Sequence, residues 1–173
     1  MHKEKWTFGV RVIPGIEPRA SVRTTLTYRL HTSLTGGIEV NPRADEAGGR
    51  VSPLLNWLVV KEGKNRPALI LGTSSDRIGT PEGQSFYATL SKNLRRETGL
   101  PIAPYVGVAY GTYEHRWLPI AGLNLNFTRS ISSTVIFDGV RMHSLLNYVR
   151  GRHTFSFVLA YCNKPGISYS ISF

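Results

Sequence analysis

The sequence predicts an all-β chain folded as a single antiparallel up-and-down β-barrel of about twelve strands, one domain over residues 1–173. Three observations carry this. Apolar residues alternate with small or polar ones through most of the chain, the period of a strand and not of a helix. Glycine (17) and proline (10) recur where short strands must reverse. No linker divides the 173 residues, a length suited to one domain with a substantial core.

The runs follow in order. Trp6, Phe8, Val10 and Val12 alternate with Thr7, Gly9 and Arg11. Val22, Leu26, Tyr28 and Leu30 alternate with Arg23, Thr25, Thr27 and Arg29; Leu34, Ile38 and Val40 alternate with Thr35, Gly37, Glu39 and Asn41. His31-Thr32-Ser33 leaves room only for a tight reversal between them. Residues 52–61 are apolar on both faces, which fits a strand or a buried segment. Gly63 to Pro67 is a turn signal, and Ala68 opens the next strand. Residues 74–83, with Asp76, Arg77, Gly79, Pro81 and Gly83, read as a loop in which Asp76 and Arg77 form a local ion pair.

Phe86, Ala88 and Leu90 resume the alternation. Residues 92–99 are charged and hold one helical turn or a polar loop. Val106, Val108 and Tyr110 alternate with Gly107, Ala109 and Gly111; Leu123, Leu125 and Phe127 with Gly122, Asn124 and Asn126. Val135 and Phe137 follow, and Asp138-Gly139 is a strong hairpin signal. Val140, Met142, Leu146 and Tyr148 alternate with Arg141, His143 and Asn147, and Phe155, Phe157, Leu159 and Tyr161 with Thr154, Ser156, Val158 and Ala160. The last strand sets Ile167, Tyr169, Ile171 and Phe173 against Ser168, Ser170 and Ser172.

The two faces point to a membrane setting. A soluble sandwich turns its polar face to water and covers it with Lys and Glu. Here that face is often small, as in Gly107-Ala109-Gly111 and Ser168-Ser170-Ser172, which suits the inside of a narrow barrel. Aromatics (Trp6, Tyr28, Trp117, Phe127, Tyr148, Tyr161, Phe173) gather near strand ends on the apolar faces, like the girdles of transmembrane barrels. Charged residues make up 18%, against about a quarter in soluble domains. No apolar run reaches the roughly 18 residues of a membrane helix, so a membrane reading requires a closed barrel. The alternative is a soluble β-barrel or sandwich that binds an anionic ligand or partner.

The terminal strand, from Gly166 through Tyr169 and Ile171 to Phe173, resembles the assembly signal of bacterial outer-membrane barrels. The segments 37–42, 53–57 and 71–81, within residues 34–92, resemble outer-membrane barrel proteins of the YjbH-like kind, associated with exopolysaccharide production. Members of that family are usually longer, so the resemblance implies a reduced relative or one barrel module. It also implies an envelope location and carries over no catalytic residue. The expected place is the bacterial outer membrane. Met1-His2-Lys3-Glu4-Lys5 is polar and no signal peptide is seen, so the chain is taken as a mature or recloned form.

The net charge of +10 calls for anionic partners. The expected partners are membrane lipid or lipopolysaccharide, the barrel-assembly machinery and other envelope proteins. Nucleic acid is not expected, since no recognition helix is present and the basic residues are spread along the chain. No enzymatic activity, cofactor or metal is expected. Cys162 stands alone, read as a small packing residue, and the five histidines are scattered. Adjacent His143 and Ser144 would point to opposite faces of a strand, and Glu114-His115-Arg116 reads as ordinary surface charge. Residues 79–83 lack the Lys-Ser/Thr and helix of a phosphate-binding loop. The candidate lumen residues are Arg11, Arg23, Arg29, Glu39, Arg141 and His143, with Glu39 as the main counter-charge. The expected role is structural or pore-type and anion-favouring, linked to polysaccharide export or to a larger envelope complex.

Overall fold

The computed structural model describes residues 4–16, 21–42 and 50–173. His2, one of the five scattered histidines, lies outside them with the rest of the first three residues. Twelve antiparallel strands close into a barrel in which each strand pairs with its neighbours in sequence and the last pairs with the first. They are β1 (Trp6–Val12), β2 (Val22–His31), β3 (Leu34–Asn41), β4 (Arg50–Val60), β5 (Ala68–Ser75) and β6 (Gln84–Ser91), then β7 (Ile102–Gly111), β8 (Arg116–Asn126), β9 (Ile131–Phe137), β10 (Met142–Arg150), β11 (His153–Ala160) and β12 (Lys164–Ser172). One helical turn, α1 (Arg95–Thr98), sits between β6 and β7 and ends at Gly99 in the left-handed conformation.

The register gives the faces. Phe8 pairs with Leu26 on one side and Ile171 on the other, and Val10 pairs with Tyr169, which pairs with Phe155, so two neighbouring rungs of outer-face residues run through the seam of the closed barrel. These side chains face outward: Trp117, Val106, Phe86, Phe157, Leu146 and Ile167 are each half-exposed or more. The inward positions hold small and polar residues, among them Gly9, Thr25, Gly107, Asn124, Ser156 and Ser170, paired rung by rung. Among the described residues the buried apolar set is only Ile13, Ile16, Ala68, Ala109, Val158 and Ala160. The usual inside-out distribution of a soluble domain is therefore reversed.

Tyrosines fill part of the inside. Tyr87 pairs directly with Gly72 and Tyr105 with Gly122. A Cβ on Gly122 would lie 2.2 Å from the Tyr105 ring, so this ring lies flat against bare backbone. Glycine under an aromatic neighbour lets a small barrel curve sharply while keeping its inner wall packed.

The closing rungs extend past the ladder. The Phe173 carbonyl accepts from the backbone N–H groups of Lys5 (3.0 Å) and Trp6 (2.9 Å), and the Phe173 N–H donates to the Trp6 carbonyl at 2.9 Å. Both described chain ends thus lie at one end of the barrel, called here the terminal end. Its turns carry Lys61, Lys64, Arg66, Lys92, Arg95, Arg96, Arg129 and Arg152, opposed by Glu62 and Glu97. The opposite end is the mouth.

Several expected placements change. Val140 and Arg141 lie in the β9–β10 turn and not on a strand: Asp138 Oδ1 accepts both their N–H groups, at 2.9 and 2.8 Å, which holds the reversal. Tyr161 is not part of the outer aromatic girdle. It sits in the β11–β12 turn with φ 55° and packs toward the inside. Cys162 follows it with φ 57° and is exposed, so it is no packing residue. The ambiguous segment at 52–61 belongs to a strand, β4, up to Val60.

Candidate functional site

The mouth is where the charged inward residues collect. Arg11 and Arg23 are directly paired on β1 and β2, two cations on one rung of the inner wall. Glu39, one strand further, answers them. Its Oε2 lies 2.6 Å from Arg23 Nη2, and the carboxylate has no solvent exposure. Ser75 Oγ donates to the same oxygen at 2.8 Å, and Asn41 Nδ2 donates to Oε1 at 3.1 Å. A buried carboxylate needs such partners, since an unpaired one would be too costly to ionise.

The loop of residues 76–83 folds back into the mouth. Asp76 Oδ1 accepts the Arg77 N–H at 2.7 Å, and Oδ2 accepts the Tyr113 N–H at 3.3 Å. Gly111 makes this possible, because a Cβ there would stand 2.7 and 2.8 Å from the two carboxylate oxygens. Thr80 is buried and its hydroxyl donates to the Arg77 carbonyl at 2.9 Å. The Arg77 guanidinium reaches Glu114, which also holds Arg116 Nε at 2.6 Å. Glu114 is thus a bridge between two arginines and not idle surface charge. The hydrogen bond from Arg116 lowers its carboxyl most; burial opposes this, and the hydrogen bond from Arg77 with the charges of both arginines leaves the group below the usual range.

His143 comes inward from β10, 3% exposed, and its Nε2 lies 2.8 Å from Asp138 Oδ2. The Tyr161 backbone N–H donates to Nδ1 at 3.4 Å, so the ring carries its proton on Nε2 and donates it to Asp138. Burial pushes the Asp138 carboxyl up, but the bonds from His143, Arg141 and Val140 outweigh it and leave the group below its ordinary value. The Tyr161 ring lies 5.5 Å from the His143 ring, and the Arg141 guanidinium lies over the Tyr161 ring at 4.4 Å. Ile13, Ile16, Ile78, Leu145 and Val158 complete an apolar cap beside this pair.

Of the expected lumen residues, Arg11, Arg23, Glu39 and His143 come together at the mouth. Two cavities remain there, of about 170 and 220 Å³, sharing Ser74, Ser75, Asp76, Arg77, Ile136 and Asp138. Both are below the roughly 300 Å³ at which small-molecule sites begin. Arg29 pairs with Thr35 near the terminal end, exposed and away from this cluster, and Arg141 joins it only through Tyr161. Asp76, Arg77, Ser75, Thr80, Asp138 and Tyr161 were not among the expected site residues. Gly111 and Gly83 beside Asp76 were the available sign of close packing. No group of His, Cys, Asp and Glu able to hold a metal exists among the described residues.

The fold and this site define a class: a closed twelve-stranded antiparallel β-barrel with a largely apolar outer wall and a polar interior, packed at one end. No family model matches the chain, and no curated protein matches it.

Proposed function

We propose that this chain spans a bacterial outer membrane as a structural envelope barrel, not as an enzyme. One observation carries the reading: large apolar side chains face outward around a closed wall while the inside holds small residues and paired charges. Large apolar patches on soluble monomers usually stay near 300–600 Å². A wall of this kind finds its match in hydrocarbon, where closure leaves no unpaired strand edge. Strands of seven to eleven residues, tilted by roughly 40°, match an apolar band about 25 Å tall.

The packed mouth favours the structural role over an open pore. Arg23 is held by Glu39, and the 76–83 loop with Ile13, Ile16 and Tyr161 fills the space a solute would need. The anion-favouring pore rests on Arg11 and Arg23 paired on the inner wall, with Arg29 in the same strand alternation as Arg23 at the terminal end. The link to polysaccharide export and to a YjbH-like family rests on the resemblance in residues 34–92. Planar-bilayer recording of the refolded chain tests the role. Absence of steady conductance fits a structural barrel, whereas anion-selective channels that lose selectivity in Arg23→Glu would overturn it in favour of a pore.

A further inference from the structure

The outer wall is not uniform. An apolar groove of about 630 Å³ runs across β1, β12, β11, β10 and β9. Its floor is two adjacent rungs. One holds Val10, Tyr169, Phe155, Tyr148 and Ile131; the other holds Val12, Ile167, Phe157 and Leu146. The second rung continues to Ser133, whose small side chain faces outward beside Leu146. Because the rungs climb relative to the barrel axis, the groove reaches the terminal end at Ile131, the first residue of β9.

At that end the next rung is basic. It holds Phe8, Ile171, His153 and Arg150. His153 Nδ1 is hydrogen-bonded to the Tyr169 hydroxyl at 2.8 Å, which ties this rung to the groove. The Val149 N–H donates to the Ser130 carbonyl at 2.8 Å, which sets the turn bearing Arg129 beside Arg150. Neither Arg129 nor Arg150 makes an ion pair among the described residues, whereas neighbouring Arg152 is held by Glu4 at 2.8 Å.

We propose that this groove and its basic end form a binding site for one phosphate-bearing acyl lipid. An acyl chain lies along Phe157, Leu146, Phe155 and Tyr148, and the phosphate meets Arg129, Arg150 and His153. Charge complementarity names the occupant: an apolar groove alone takes any chain, but two unpaired guanidinium groups at its end select an anionic headgroup, with the forked geometry that suits phosphate oxygens. The site rests on the membrane reading above and adds to it a headgroup preference at one place on the wall.

The test is native mass spectrometry of the full chain refolded in neutral detergent micelles doped with phosphatidylglycerol or phosphatidylcholine, with inorganic phosphate in a third arm. The folded chain should retain one phosphatidylglycerol about tenfold better than phosphatidylcholine. Arg129→Gln with Arg150→Gln should remove that preference and leave phosphatidylcholine retention unchanged. Phe157→Ala should weaken both lipids together. Arg95→Gln with Arg96→Gln, on a distant turn, should change nothing. A chain that folds in micelles yet holds both lipids equally, or keeps its preference without Arg129 and Arg150, overturns the site and leaves the barrel reading standing. Competition by inorganic phosphate with no retained lipid also overturns it, in favour of a bare anion site. A chain that does not enter micelles overturns both readings.

Discussion

Arg23 and Glu39 meet on the inner wall of β2 and β3 with 2.6 Å between Nη2 and Oε2, and the Glu39 side chain is cut off from solvent while the Arg23 side chain keeps 26% exposure. The asymmetry orders the variants. Arg23→Met strands a buried carboxylate, and removing one partner of a buried pair costs about 3–5 kcal/mol. Glu39→Gln leaves a cation that still reaches water, so we expect a smaller loss, about 1–3 kcal/mol. The double replacement by methionine should be less damaging than Arg23→Met alone. Urea unfolding of the refolded barrel, followed by its heat-modifiable band, measures all three.

Gly111 and Asp76 give a second prediction. Gly111→Ala drives a methyl group into the carboxylate that receives the Arg77 and Tyr113 N–H groups. We expect a loss of about 1–3 kcal/mol, typical of overpacking, and faster proteolysis within residues 76–83. Unchanged cleavage in that loop would contradict the packed-mouth geometry.

Gly122 and Tyr105 give a third. All three nearest atoms to a new Cβ on Gly122 belong to the Tyr105 side chain. Gly122→Ala alone should destabilise the barrel by about 1–3 kcal/mol. In a Tyr105→Ala background the same change should cost much less, so a double-mutant cycle should be strongly non-additive.

The Asp138 carboxyl is held below its ordinary value of about 3.9 by the net effect described above. The sign follows from linkage. A depressed folded-state pKa adds stability that is present above the unfolded value and lost as pH falls through the folded one. The mouth should therefore hold through mild acid and loosen only below the usual aspartate range. Asp138→Asn should flatten that acid limb of a stability–pH curve. A main loss between pH 5 and 7, unaltered in Asp138→Asn, would contradict this.

The strands were legible because alternation survives on both sides of the wall. Gly107-Ala109-Gly111 and Ser168-Ser170-Ser172 announced an inner face with no room for bulk, and the register places them there. The Arg23–Glu39 pairing could be read from the same alternation. The rest of the mouth could not, because it is made by segments that leave the strand period. Asp76, Thr80, Tyr161 and Ile16 reach the interior from turns, and several of the contacts made there are far off in sequence, as with Asp76 and Tyr113 or Arg77 and Glu114. Tyr161 shows the limit best: it continues an apolar alternation through Leu159, yet a left-handed backbone turns it over His143.

The central claim is that the outer wall faces lipid, and its tryptophans report on this without substitution. Trp6, Trp57 and Trp117 all face outward, 42, 46 and 67% exposed. Fluorescence of the refolded chain in vesicles containing brominated phosphatidylcholine measures their contact with acyl chains. The account predicts strong quenching, greatest for bromines near the headgroup, since Trp6 and Trp117 stand at strand starts at opposite ends of the barrel and Trp57 lies late in β4. A folded chain whose emission is the same in brominated and unbrominated vesicles would contradict it.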